Sequence, residues 1–409
     1  MNGECAKELP CRSLWRIGKM ATRCASLQLL LPVASAAPIA KPRSSRKCSK
    51  RARSKVVARA APPQEALLGS LKELQSLVSP KVEESQRSRA KSTAEEVMDG
   101  ISLDSKVVLI TGGSAGIGFE TSRVLARRGA HVVIASESLK AAHAAKLKIL
   151  EQTPNAQVTV LHLNLGSMYS VRNFVAKFKA LGLPLHILIN NAGIASSQFV
   201  LSEDGLEMTF AVNHVGHFVL THSLLDLIEE TATQSGNRGR IVVVASSQHE
   251  SARGINFKNL HRKSWMFAVP VLQSIHGLST VYAQTKLANI LFAKELARRL
   301  EEQGVNISVN ALHPGVFNSS FVEKFAEPAG LAFSWIEPFL KTIEQGAATT
   351  CYVAAHPDVE GISGKYFADC QETSGSKYAS DMELGKELWA YTEDLIASHA
   401  NLEDCHLPS

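Results

Sequence analysis

Between Glu8 and Glu65 the sequence contains no acidic residue. Aromatic residues are scarce, at 6%. No run of roughly 18 apolar residues occurs, so a membrane-spanning helix is not expected. The seven cysteines form no CxxC pair and no Cys/His spacing suited to zinc. That pattern points to a reducing compartment, with neither a structural disulfide nor a metal site. The formal charge of +6 does not indicate a nucleic-acid binder. Residues 1–60 carry 14 Lys/Arg against 2 Asp/Glu, a surplus larger than that of the whole chain, so the remainder is mildly acidic. It also lacks a basic patch interleaved with aromatics.

An acid-free tail rich in Arg, Lys, Ser and Ala has the composition of an organelle transit peptide. In Val56-Val57-Ala58-Arg59-Ala60-Ala61 small residues follow a short apolar step, as at a plastid processing site. Residues 1–60 are therefore read as a disordered transit peptide, for the chloroplast ahead of the mitochondrion. The competing reading makes residues 27–40 the core of a secretory signal or monotopic anchor. Pro32 interrupts that core, and a dense basic cluster follows it. Residues 61–100 read as a polar, helix-forming linker arm. Leu67, Leu68, Leu71, Leu74 and Leu77 fall at helical spacing there, as in a packing arm or homo-oligomer contact.

From 101 to 400 strand and helix alternate, and 401–409 form a tail. Apolar strands are predicted over 106–111, 132–135, 158–163, 185–190, 240–246 and 306–312, with helices between them. Buried strands flanked by helices imply an α/β, doubly wound (Rossmann) parallel sheet of about seven strands, covered on both faces. Its ligand crevice lies at the carboxyl ends of the strands.

The motifs fall at those ends. Thr111-Gly112-Gly113-Ser114-Ala115-Gly116-Ile117-Gly118 joins the first strand to a helix. Glycines let backbone approach a pyrophosphate, and the helix start offers free amides and a positive dipole end. Gly112, Ser114, Gly116, Ile117 and Gly118 are candidate dinucleotide contacts. No Lys-Ser/Thr follows, so this is not a nucleotide-triphosphatase loop. The second strand ends in Ser136-Glu137, where a carboxylate favours NAD and a basic residue admits a 2′-phosphate. Ser136 leaves room for a phosphate, Glu137 would repel it, and Lys140 could offset the repulsion.

Tyr282 and Lys286 stand one helical turn apart on one face. An ammonium beside a phenol favours phenolate and lowers its pKa, which suits proton transfer near neutral pH. Ser247, after the 240–246 strand, is the candidate to hydrogen-bond a substrate oxygen. Asn190-Asn191-Ala192-Gly193 places small residues near the cofactor. Asn213 could bridge through water to Lys286. His214 and His217 are assigned to packing and capping.

In this order the set resembles the short-chain dehydrogenase/reductase superfamily. The resemblance implies that Asn213, Ser247, Tyr282 and Lys286 form a catalytic tetrad. It also implies that Asn164, Leu165, Asn191, Ala192, Gly193, Pro314, Gly315, Val316 and Ser319 contact the dinucleotide, Ser319 at the nicotinamide amide. Ser92-Thr93-Ala94-Glu95-Glu96-Val97, the residues after Tyr282, Gln345-Gly346-Ala347-Ala348-Thr349 and residues 363–370 look like the retinol-dehydrogenase-like group. That group usually carries Arg where Glu137 stands and Asp where Asn164 stands, so NADP(H) is favoured by resemblance, with NAD(H) open. The long 251–279 stretch reads as a substrate-side flap or a surface insertion.

The leading expectation is an NAD(P)-dependent reductase or dehydrogenase of hydrophobic carbonyls or alcohols. A second is a redox-sensing, NADPH-binding subunit of a plastid import complex, peripheral to the envelope or thylakoid membrane. A third is a reductase of a chlorophyll-type macrocycle. An apolar stretch at 318–339 suits a hydrophobic substrate.

Overall fold

The computed structural model describes residues 90–196, 199–257, 281–315 and 340–404. The expectations for residues 1–60 and 67–77, most of the flap, Val316, Ser319 and the 318–339 stretch lie outside the described residues.

Eight strands form one sheet: β1 Val107–Thr111, β2 His131–Ser136, β3 Val158–His162, β4 Ile187–Asn190, β5 Gly239–Val244, β6 Ile307–His313, β7 Tyr366–Ala368 and β8 Gln371–Thr373. Their order is β3-β2-β1-β4-β5-β6-β7-β8. The first seven run parallel, and β8 pairs antiparallel with β7. Chain order reverses direction across the sheet between β1 and β4, which opens the crevice of a doubly wound fold there.

Alternate residues of the central strands enter two separate cores. Val108 and Ile110 pack with α2 (Gly116–Arg127), α3 (Leu139–Gln152) and α8 (Ile343–Ala355). Leu109 faces the other core, built on α4 (Met168–Ala180), α6 (Gly216–Ser235), α7 (Tyr282–Glu302) and α9 (Met382–Asp404). Strands buried on both faces read as continuous apolar runs, which is why the sequence pattern revealed them. α6 is entered through a short helical turn, α5 (Met208–Phe210), and a π-helical turn at Ala211–Val215. Among the described residues no helix is long and apolar enough to cross a membrane.

The domain starts earlier than position 101. α1 (Ala94–Val97) is closed by a reciprocal Thr93/Glu96 capping box, and Ala94 and Met98 are fully buried. Glu95 pairs with Arg123 of α2 at 2.9 Å and with Arg127 at 3.1 Å. Replacing Met98 by Ala should therefore destabilise the full chain by about 2–4 kcal/mol, measured by urea unfolding. An unchanged midpoint would show that this segment is only a tether.

Candidate active site

β1 ends at Thr111, and the chain turns through Gly112 at φ +67°. A Cβ on Gly118 would stand 2.3 Å from the Gly112 carbonyl oxygen, so only glycine fits where loop and helix meet. The cap residue Ala115 offers no side-chain hydrogen bond, and the first turn of α2 holds no acidic side chain. Its leading amides and positive dipole end are thus available to an anion, and a pyrophosphate fits this end. Ile117 is buried behind them against α8, where a Cβ on Gly346 would come within 2.9 Å of its Cδ1.

Ser114 and Ser136 hydrogen-bond through their hydroxyls at 3.1 Å, joining the glycine loop to the end of β2. Glu137 is exposed and forms no ion pair with a described residue. Ser138 caps α3. After β3, the Asn164 side-chain oxygen accepts from the Gly166 amide at 2.8 Å, so this acceptor serves its own loop. Leu165 is buried behind it.

At the end of β4, the amides of Asn191 and Ala192 each donate to the Thr111 hydroxyl at 2.9 Å. The Asn191 side chain donates to the Thr111 carbonyl at 2.8 Å. A Cβ on Gly193 would lie 3.2 Å from Lys286 Nζ, so this glycine is what lets the lysine reach the strand ends. Pro314 is buried after β6, and Gly315, at φ +95°, packs under the stem of Lys341, which is ion-paired with Asp369.

Tyr282 and Lys286 both lie in the first turns of α7. Lys286 Nζ sits 5.5 Å from the Tyr282 ring centroid and donates to the Val244 carbonyl at 3.1 Å. Asn289 donates to the same carbonyl at 3.1 Å. The serine hydrogen-bonded to the Tyr282 side chain is Ser246. The expectation for Ser247 concerns a substrate oxygen, which this contact does not decide. Ser246 is still extended beyond β5, whereas Ser247 has already entered the 3-10 turn Ser247–Ser251. Along an extended chain, adjacent side chains point to opposite faces.

Asn213 joins this group from the π turn. Its side-chain oxygen accepts from the Ile194 amide at 2.8 Å, and its nitrogen donates to the Ile194 carbonyl at 2.9 Å and to Thr285 at 3.0 Å. Thr285 in turn donates to the Tyr282 carbonyl at 2.8 Å. The Asn213 side chain is thus occupied in fixing α7.

Burial also reverses the expected tyrosine shift. The Tyr282 phenol is pushed up to about 12 because burial disfavours phenolate, while the Ser246 hydrogen bond pulls the other way. Lys286 is pulled down to about 8 by burial of its ammonium. His214 and His217 are held near 3 and 4 by burial, so both are neutral. His214 bonds Thr392 at 3.0 Å and packs on Phe210, as a core residue does. His249 bonds the Ser246 carbonyl at 2.7 Å; sequence gave no sign of it, since its partner is a backbone atom.

The sequence profile of the short chain dehydrogenase family matches residues 106–256. Short-chain dehydrogenase TIC 32 A, chloroplastic, of Brassica napus is 44% identical over 313 residues, covering 75% of this chain and 93% of that protein. Retinol dehydrogenase 12 of Bos taurus is 38% identical over 296 residues, covering 72% of this chain and 88% of that protein. Among solved structures, an uncharacterized protein from Mycobacterium paratuberculosis aligns with a TM-score of 0.56 at 30% identity, over 73% of this chain and 96% of that one. With sheet, glycine loop and relatives in agreement, the chain belongs to the short-chain dehydrogenase family, whose members bind a nicotinamide cofactor and act on alcohol and carbonyl groups.

Proposed function

We propose that this chain interconverts a hydrophobic aldehyde or ketone and its alcohol, with Tyr282, Lys286, Ser246 and Asn213 as its working residues. The observation that carries this reading is the Tyr282 hydroxyl, bonded to Ser246 and one turn from a buried Lys286, at the same strand ends as the glycine loop. An apolar substrate is supported by the relatives named retinol dehydrogenase.

When bound, the nicotinamide supplies or accepts the hydride. In reduction the carbonyl carbon gains that hydride as its π bond to oxygen breaks, and Tyr282 gives its proton to the oxygen. In oxidation Tyr282 takes the hydroxyl proton back. Ser246 orients the oxygen from the side. A phenol held at about 12 keeps its proton until the substrate oxygen takes up negative charge. The Lys286 ammonium then offsets the phenolate left behind, and Asn213 fixes the turn that bears both through Thr285.

Residues 1–60 are read as directing the chain to the chloroplast, in line with the names of the Brassica relatives. NADP(H) is the cofactor favoured by resemblance, and Glu137 weakens that preference because its charge stands beside the place of a 2′-phosphate. Replacing Glu137 by Arg should raise the ratio of kcat/KM for NADPH over NADH by about tenfold or more. An unchanged ratio would show that this side chain does not face the ribose.

The central test follows cofactor absorbance with a panel of n-alkanals and retinal. Tyr282→Phe should lower turnover by about 10²- to 10⁴-fold while cofactor fluorescence still reports binding; undiminished turnover would sink the mechanism. Ser246→Ala should cost more than Ser247→Ala, and the reverse ranking would return the role to Ser247.

Burial of Lys286 also predicts a stability change. Its folded pKa lies below the unfolded 10.5, so the folded state holds the proton less tightly and stability rises with pH between about 8 and 10.5. Lys286→Met should stabilise the cofactor-free protein by roughly 3 kcal/mol below pH 8. The gain should shrink as pH rises towards 10.5, and Tm measured across that range checks the sign.

A further inference from the structure

We infer that His217 and His249 are paired positioning residues, each fixing the backbone carbonyl of one member of the reaction centre, Asn213 and Ser246 respectively. The inference rests on the reading of that centre given above.

His217 Nδ1 lies 3.2 Å from the Asn213 carbonyl oxygen. A carbonyl only accepts, so Nδ1 carries the proton, and a neutral ring then leaves Nε2 as an acceptor. Nε2 lies 2.9 Å from the Thr111 hydroxyl, which donates its one proton there in preference to the more distant Ile189 carbonyl at 3.5 Å. The Thr111 oxygen is left to accept, and it receives the amides of Asn191 and Ala192. Every bond in this chain has a determined direction. It runs from the end of β4, through the end of β1, to the π turn that bears Asn213.

His249 repeats the arrangement on the other side of the centre. Its Nδ1 lies 2.7 Å from the Ser246 carbonyl, and its Nε2 accepts from the Ser376 amide at 3.1 Å. A carbonyl at one nitrogen and an amide at the other fix the same Nδ1–H tautomer independently. Burial lowers the pKa of both rings, which favours the neutral form this pattern needs. A second proton would place a donor at Nε2 against Thr111 in one case and against an amide in the other.

Two other histidines show that the carbonyl bond alone means little. His222 bonds the Phe218 carbonyl at 3.1 Å and His399 the Leu395 carbonyl at 2.8 Å, both four residues back along a helix and away from the centre. A second bond to a distant element does not set them apart either, since His399 Nε2 bonds the Asp204 carbonyl at 2.6 Å. What distinguishes His217 and His249 is whose carbonyl they hold, that of Asn213 or Ser246, while the other nitrogen ties it to β1 for His217 and to the segment after β8 for His249. Each ring thus holds one reaction-centre residue against the rest of the fold.

The test has two parts. Long-range ¹H–¹⁵N NMR of the ¹⁵N-histidine-labelled full chain should show both rings as the Nδ1–H tautomer, and Nε2–H at either would overturn the inference for that residue. Kinetics then use decanal with whichever of NADH and NADPH turns over faster. Asparagine puts an amide N–H near Nδ1, and glutamine puts its amide near Nε2. His217→Asn and His249→Asn should recover most of kcat, whereas His217→Gln and His249→Gln should lose about tenfold in kcat with KM for decanal little changed, the equivalent of one lost hydrogen bond. Equal losses in the Asn and Gln variants would reduce both histidines to packing. If Tyr282→Phe keeps its turnover, the underlying reading fails instead. Should a variant not fold, the tautomers of the unsubstituted protein still decide.

Discussion

The Thr111 hydroxyl is a small group on which several elements depend. It is fully buried at the last position of β1. It receives two amides from the end of β4 and stands against His217 of α6. Amides left unsatisfied there would each carry a desolvation cost of about 1–3 kcal/mol. The chain leaving β4 cannot close its own hydrogen bonds, because a parallel strand ends where the sheet ladder ends. One side-chain oxygen replaces the missing partner. It holds the Asn191–Gly193 segment beside the glycine loop, and the small residues there then admit Lys286.

Burial, more than pairwise charge, governs the electrostatics of the site. From sequence, an ammonium one turn from a phenol argues for an acidified tyrosine. In the folded chain Lys286 is buried and Tyr282 half-buried, and the water both lose pushes each toward its neutral form: Tyr282 upward and Lys286 downward. The pair is therefore nearly uncharged in total at moderately alkaline pH. Its polarity appears only when a proton moves, so charge develops mainly during reaction. A fold that held a permanent phenolate–ammonium pair here would need more hydrogen bonds to it than Ser246 and Val244 supply.

Much of the architecture was legible because its signals are periodic. Continuous apolar runs marked β1 to β6, and the spacing of Tyr282 and Lys286 put them on one face of α7. What escaped sequence reading lacks a period. Ser246 and Ser247 are chemically identical neighbours, and only the residue at which the extended chain bends decides which faces Tyr282. β8 is three residues long, and its turn places Asp369 and Cys370 at positive φ, +52° and +56°, without the glycine that normally betrays such a hairpin. Glu137 could be located but not interpreted, since its meaning depends on direction as well as position. His249 acts on a backbone carbonyl, an atom every residue has.

The packing of α1 has a consequence for proteolysis. A protease works on extended, accessible chain. Thr93 onward is capped, ion-paired to α2 and plugged into the core by Ala94 and Met98. A cut beyond that point would strip two side chains from the interior and leave Arg123, Arg127 and Arg128 without Glu95. The fold itself thus sets a limit on the amino-terminal side: the domain keeps its packed interior only if the chain is intact from Thr93 onward.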